Sequence, residues 1–286
     1  MHNDLKHRKL FHKIHLKMKN TKHVKNILNS FKQTFLEKNF KNKIVAVFGS
    51  GSLSIEAKFF LKNKCKFCYI VDLDKSITKQ SNLNLKKFNK KYKFLFESIE
   101  RTSLKKNSID YLICSGVIHH MKNDKKGFKE IYRVLKNNGE ALIIVDGKGG
   151  LISEIFNLVL RPFFQKNNLL FDKIFSNNHL EKFNNFLLSH YSSKEKKIFN
   201  YIKKYLDKEL ILTLKDRIYA PIYKSYKYNI LIKFLKKIGF RKINRIKKKI
   251  KYNNIRFLAA PLYSNYENVI SKVLYGDGVL HLLCKK

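Results

Sequence analysis

Gly49-Ser50-Gly51 follows directly on the short apolar run Ile44 to Phe48. Glycines at such a turn let the backbone bend sharply and approach a ligand closely, because no Cβ intrudes. Asp72 ends a second apolar run, Phe67 to Val71, lying 23 residues after Gly49 and 21 after Gly51. A carboxylate at that place can accept both hydroxyls of a ribose, and the interval is near the ~20 residues of the nucleotide-binding pattern. The third glycine of a dinucleotide fingerprint is missing, since Leu53 and Ser54 stand where it would fall. A nucleoside without a diphosphate therefore suits the turn better than a nicotinamide or flavin dinucleotide. His119 and His120 add two imidazoles, which titrate near neutral pH. Such a pair suits proton removal from an oxygen nucleophile, or serves simply to shape a cleft. Cys65-x-x-Cys68 has no second ligand pair, so strand packing is expected there and no metal site.

The elements that must position these residues read as alternating strands and helices. Eight of the 11 glycines fall between Gly49 and Gly150, and all three prolines come later. Apolar runs at Ile44–Phe48, Phe67–Val71, Tyr92–Phe96, Ile109–Cys114 and Ala141–Val145 predict five strands. Helical stretches fit between them at Leu53–Leu61, Ile77–Phe88 and Lys125–Leu135, the last expected to stop at Asn138-Gly139. Short continuous apolar strands alternating with helices imply buried parallel strands. Before this core, Val24 to Phe40 has apolar residues at helical spacing, preceded by a Lys/His-rich start. After it, Tyr228–Ile238 predicts a helix ending at Gly239, Arg241–Tyr252 a sixth strand and Val279–Cys284 a terminal strand.

The stretch from 43 to 146 resembles the class I S-adenosylmethionine-dependent methyltransferases, in particular the type-11 methyltransferase domain. The resemblance runs in order through Ile44-Val-Ala-Val-Phe-Gly-Ser-Gly51, Tyr69-Ile-Val-Asp-Leu-Asp74 and Asn107-Ser-Ile-Asp-Tyr-Leu-Ile-Cys-Ser-Gly-Val-Ile-His-His-Met121. It ends with Glu130-Ile-Tyr-Arg-Val-Leu-Lys-Asn-Asn-Gly139, and the last two segments are the more specific. It implies S-adenosyl-L-methionine as cofactor, with Gly49, Ser50 and Gly51 along its methionine part. Asp72 would take the ribose hydroxyls, Leu73 would pack on the adenine, and Ser98 and Ile99 would meet the adenine edge. Ser115 and Gly116 would lie under the sulfonium, with His119 and His120 on the substrate side as candidate catalytic residues. The chain departs from the family pattern at Val47, Leu53 and Ser98.

The expected fold is α/β, a Rossmann-like doubly wound and mostly parallel sheet with helices on both faces and a helical insertion after the fifth strand. The expected organisation is a basic N-terminal helical extension at 1–42 and a cofactor-binding core at 43–150. A helical cap follows at 151–225, and residues 226–286 complete the core. The cap is expected over the substrate end of the cleft, reached through the flexible Gly147, Gly149 and Gly150.

Sixty-one Lys+Arg against 21 Asp+Glu give a net charge of +40. Only eight are Arg, and Lys, Asn, Ile and Phe share AT-rich codons, so coding bias can generate much of the charge without selection for a polyanion, and charge alone does not decide between function classes. Routes to exocyclic amines of bases are disfavoured, because Cys114-Ser-Gly-Val follows the fourth strand where Asp/Asn-Pro-Pro-aromatic is usual. Ribose or other RNA methylation stays open, with the basic run Arg241 to Lys251 as the best patch. The segment Asp216-Arg-Ile-Tyr-Ala-Pro-Ile-Tyr-Lys-Ser-Tyr is similar to the tail that closes the pocket of small-molecule methyltransferases. These features imply an S-adenosylmethionine-dependent methyltransferase acting on a small-molecule or glycan-precursor acceptor, at oxygen. The alternative is an RNA- or anionic-membrane-associated binding protein on a degenerate methyltransferase fold. No stretch approaches the ~18 uninterrupted apolar residues of a spanning helix, four cysteines make no disulfide framework, and a cytoplasmic location is expected.

Overall fold

A computed structural model describes residues 22–167, 208–247 and 267–286, together with His12, Ile14, Leu16, Leu170, Phe171 and Ser189. Seven strands form one sheet: β1 (Ile44–Phe48), β2 (Phe67–Val71), β3 (Tyr92–Leu95), β4 (Ile109–Ser115), β5 (Leu135–Asp146), β6 (Lys242–Arg245) and β7 (Val279–Lys285). Their spatial order is β3-β2-β1-β4-β5-β7-β6. β1 to β5 run parallel, while β7 lies antiparallel between β5 and β6. The strand order reverses between β1 and β4, and open parallel sheets bind ligands at that switch point, outside the carboxyl ends of the strands.

Strand side chains alternate between faces, and the two hydrophobic cores show the alternation. Ala46 and Phe48 of β1 join Leu112, Cys114, Ala141 and Ile143 in one core, covered by α4 (Asp124–Val134) and α8 (Tyr228–Ile238). Val45 and Val47 join Ile70, Ile113, Leu142 and Ile144 in the other, covered by α1 (Lys22–Thr34) and α2 (Ile55–Lys62). Phe31 and Phe35 of α1 pack on Phe59 at ring separations of 5.7 and 5.9 Å. Val47, where the family usually has an acidic residue, is fully buried in this second core. The remaining described helices are α3 (Thr78–Leu85), α5 (Leu151–Glu154), α6 (Arg161–Lys166), α7 (Lys208–Tyr219) and α9 (Val269–Tyr275), with a π-helical turn Ile155–Leu160 joining α5 to α6.

Several boundaries differ from the sequence reading. Helix α4 ends at Val134, one residue before the expected Leu135, and Asn138-Gly139 is not its stop, because Leu135 is already extended and opens β5. Asn138 then takes a positive φ of 65°, and the β4–β5 register shifts between Ile109 and Tyr111. β5 thus begins six residues before the expected Ala141. β6 ends at Arg245, and the part of its expected range beyond Lys247 lies outside the described residues. The glycines after β5 serve close backbone packing: Gly147 N–H donates to Gly278 O at 2.5 Å, and a Cβ on Gly150 would come within 2.3 Å of Tyr275 and Gly276 backbone atoms. The two glycine clusters at 147–150 and 276–278 therefore explain each other.

Candidate active site

The carboxyl ends of β1, β2, β4 and β5 open into a cleft of about 770 Å³. All eleven residues singled out from the sequence (Gly49, Ser50, Gly51, Asp72, Leu73, Ser98, Ile99, Ser115, Gly116, His119 and His120) line it. Gly49 sits at φ 73°, and a Cβ there would lie 2.2 Å from Val117 Cγ2, so this turn admits only glycine without rearrangement. Gly51 N–H donates to Asp72 Oδ2 at 3.0 Å, and Asp74 N–H to Asp72 Oδ1 at 3.0 Å. These bonds hold the carboxylate across the mouth of the glycine turn.

The missing third glycine has a structural answer. Ser54 takes the left-handed conformation at φ 46° before α2 begins. Buried hydroxyls fasten the turn: Ser50 Oγ donates to Ser54 Oγ at 2.9 Å, Ser54 Oγ to Ser81 Oγ at 2.8 Å, and Ser81 Oγ to Ser52 O at 3.3 Å. Asn84 Nδ2 also donates to Leu53 O at 3.1 Å, which ties the turn to α3. The loop bearing Ser98 and Ile99 is secured from below. Glu130 Oε1 accepts from Thr102 N–H at 2.8 Å and Thr102 Oγ1 at 2.7 Å, while Arg133 donates to both Glu130 oxygens at 2.7 Å. Burial pushes the Glu130 carboxyl up, but the bonds from Arg133 and Thr102 outweigh it and hold the group below the usual carboxylate range. The Glu-x-x-Arg spacing that made this segment specific is thus a loop clamp.

His119 and His120 lie on a short 3₁₀ turn, Ile118–His120, after β4, with ring centroids 4.1 Å apart. Lys224 N–H donates to His119 O at 2.8 Å, and His120 Nδ1 pairs with Ile222 O at 2.8 Å. A carbonyl only accepts, so the His120 proton sits on Nδ1. His119 is buried and its Nδ1 has no hydrogen-bond partner among the described residues. Burial lowers its pKa from the usual 6.5; Asp146 opposes this and Arg217 reinforces it, so the ring is neutral at pH 7.

Beside the histidines stands a polar group in which the pocket-closing segment from Asp216 meets two residues that sequence reasoning missed, Asp146 and Arg161. Asp146 ends β5 and accepts from Tyr223 Oη at 2.5 Å. Burial and the Asp146 charge push the Tyr223 phenol well above its ordinary value, so it donates and does not act as a base. Arg161 and Arg217 lie over the Tyr223 ring at 5.0 and 5.6 Å. Asp216, near the end of α7, is pushed up to about 7 by burial and by Asp146, with Arg161 opposing. The signal for Asp146 was available: like Asp72, it is an acidic residue at the carboxyl end of a parallel strand. The rest converge from positions too far apart in sequence to form a pattern.

Residues 47–143 match the type-11 family whose description is "Methyltransferase domain". Over these residues, about a third of the chain, the protein is similar to that methyltransferase domain family. An uncharacterized protein of Methanocaldococcus jannaschii is 38% identical over 74 residues, which are 26% of this chain and 32% of that relative. The match thus spans about a third of the curated relative. The fold of the domain and its additions is similar to that of an S-adenosylmethionine-dependent methyltransferase from Mesorhizobium loti. That comparison has a TM-score of 0.54 and 9% identity, and covers 92% of this chain and 100% of the other. A phosphoethanolamine N-methyltransferase of Haemonchus contortus, solved with phosphomonomethylethanolamine and S-adenosylhomocysteine, gives a TM-score of 0.51 at 15% identity, covering 92% and 52%. The Gly49 turn that a Cβ would fill and the Asp72 carboxylate held by Gly51 and Asp74 form a cradle whose residues would fit a nucleoside cofactor such as S-adenosylmethionine.

Proposed function

We propose that this chain transfers a methyl group from S-adenosylmethionine to a hydroxyl of a small-molecule or glycan-precursor acceptor. The observation that carries the reading is a buried His119, its Nδ1 without a hydrogen-bond partner among the described residues, in the same cleft as the Gly49–Asp72 nucleoside cradle. Gly49, Ser50 and Gly51 would hold the methionine part and Asp72 the ribose. Leu73, Ser98 and Ile99 would line the adenine, and Ser115 and Gly116 the sulfonium. When bound, the cofactor supplies an already electrophilic methyl group, so the protein's task is orientation and proton removal. His119 would accept the proton of the acceptor hydroxyl, and a neutral ring is the form able to do so. Tyr223, whose proton is held by Asp146, would accept a hydrogen bond through its hydroxyl oxygen or fix the acceptor's position. His120, tied to Ile222 O, would orient the wall.

The described parts of 151–225 that line the cleft include Ile152, Ser153, Phe156 and Leu214, which supports reading this block as a cap over the acceptor. A cap that excludes water favours transfer to the intended acceptor. The test is a radiolabelled methyl-transfer assay on fractionated hydroxylated metabolites and sugar precursors. Label should appear in a base-stable methyl ether and fall at least ~100-fold in His119→Ala, the scale of general-base catalysis. Label confined to nitrogen or to RNA would overturn the acceptor assignment.

A further inference from the structure

Two of the chain's eight arginines stand together at the acceptor end of the cleft, in a protein whose basic residues are otherwise almost all lysine. Arg161 is occupied. It donates to Arg217 O, and to Ala220 O at 2.9 Å, carbonyls at the end of α7 and just beyond it. It also presses on the Tyr223 ring. Arg217 is held differently. Its guanidinium lies 4.9 Å from the Phe156 ring and 5.6 Å from the Tyr223 ring. One Nη2 bond reaches Ser153 Oγ at 3.3 Å. Its Nε is out of contact with solvent and has no partner among the described residues.

Stacking on two rings fixes the plane of the guanidinium and leaves its edge as the donor surface. A desolvated N–H without an acceptor is costly, and the cost is recovered when an acceptor arrives. Neither Arg161 nor Arg217 forms an ion pair with a carboxylate among the described residues. Neighbouring Asp216 does not fill the role, since its Oδ1 also has no hydrogen-bond partner. The fork geometry of an arginine edge matches two oxygens of a carboxylate or phosphate, which a lysine cannot match.

We propose that the acceptor carries a carboxylate or phosphate group, and that Arg217 binds it through its Nε–Nη edge and so presents the acceptor hydroxyl to His119. This rests on the methyltransferase reading above and narrows its acceptor class. Arg217 is thereby a specificity-determining residue.

The test uses the chain labelled with ¹⁵N-arginine and loaded with S-adenosylhomocysteine, titrated separately with inorganic phosphate and with acetate. The Arg217 Nε–H signal is identified by its loss in Arg217→Lys. It should move saturably with one of the two anions, and the anion with the lower half-saturation names the group. Half-saturation, followed by calorimetry, should rise about tenfold or more in Arg217→Lys and be lost in Arg217→Met, while S-adenosylhomocysteine affinity stays within about twofold. A signal that stays still, or that drifts without saturation alongside every other arginine, overturns the proposal. A tenfold loss of S-adenosylhomocysteine affinity in Arg217→Met also overturns it, because the anion bound would then be the cofactor's own carboxylate. Failure of the unaltered chain to bind S-adenosylhomocysteine at all strikes the methyltransferase reading itself, and this inference with it.

Discussion

Asp72 is the residue on which cofactor binding should turn. Its two oxygens are aimed by Gly51 and Asp74 N–H groups, and each charge-assisted bond it makes to a ribose hydroxyl contributes about 1.5–3 kcal/mol before water recovers part. Asp72→Ala should therefore weaken S-adenosylhomocysteine binding by at least about tenfold in calorimetry; unchanged affinity would move the nucleoside elsewhere. Asp216 makes a prediction of opposite electrostatic sense. Its carboxyl is raised from 3.8 to about 7, so the unfolded chain ionises first and raising the pH favours unfolding. The stability advantage of Asp216→Asn should be small below pH 4, grow as pH rises, and level off above about pH 7. A difference in melting temperature that stays flat across that window would contradict the assignment. Residues of this kind divide sharply in legibility. Asp72 and His119 were readable because each follows its strand at a fixed short interval. Tyr223 and Asp146 meet across 77 positions, and nothing in a linear pattern announces a meeting that only the return of the chain creates.

Among the elements, strands were more legible than helix ends, because an uninterrupted apolar run has one reading when both sheet faces are covered. Helix α4 ends at Val134, one residue before the expected Leu135, but Asn138-Gly139, read as its stop signal, lies within β5 and accompanies an irregularity in the β4–β5 pairing. The Glu130–Arg133–Thr102 clamp ties α4 to the loop carrying Ser98 and Ile99. Glu130 is almost fully buried and Arg133 partly so. Glu130→Ala should cost about 3 kcal/mol, the scale for removing one partner of a buried pair, measured by urea unfolding at pH 7. The Glu130 carboxyl is depressed below 4.5, burial being outweighed by Arg133 and Thr102. Its contribution is present above pH 4.5 and is lost as pH falls through the folded value. The gap between wild type and Glu130→Ala should therefore narrow in acid; a gap independent of pH would show that lost packing, not the charge, was measured.

At the scale of the whole molecule the +40 charge is the feature most open to misreading. If coding bias is its source, RNA binding should be weak at low salt and fade steeply as salt rises, because each phosphate contact releases counterions. Filter binding that stays tight and sequence-selective at physiological salt would favour a nucleic-acid partner. The mostly parallel sheet with helices on both faces follows from continuous apolar runs alternating with helices and was accessible from sequence, whereas the strand order and the antiparallel β7 were not. That the block 151–225 belongs over the cleft was expected from its place after the fifth strand, but which of its side chains, such as Ile152, Phe156 and Leu214, line the cleft was not legible, because apolar content says only that they must pack. The central claim, a working S-adenosylmethionine site and not a retired one, has a direct test. S-adenosylhomocysteine is titrated calorimetrically into the 286-residue chain, with and without a saturating RNA competitor. The account predicts one site per chain, with affinity unchanged by RNA. No binding heat, or binding abolished by RNA, would contradict it and support a degenerate fold kept as a binding module.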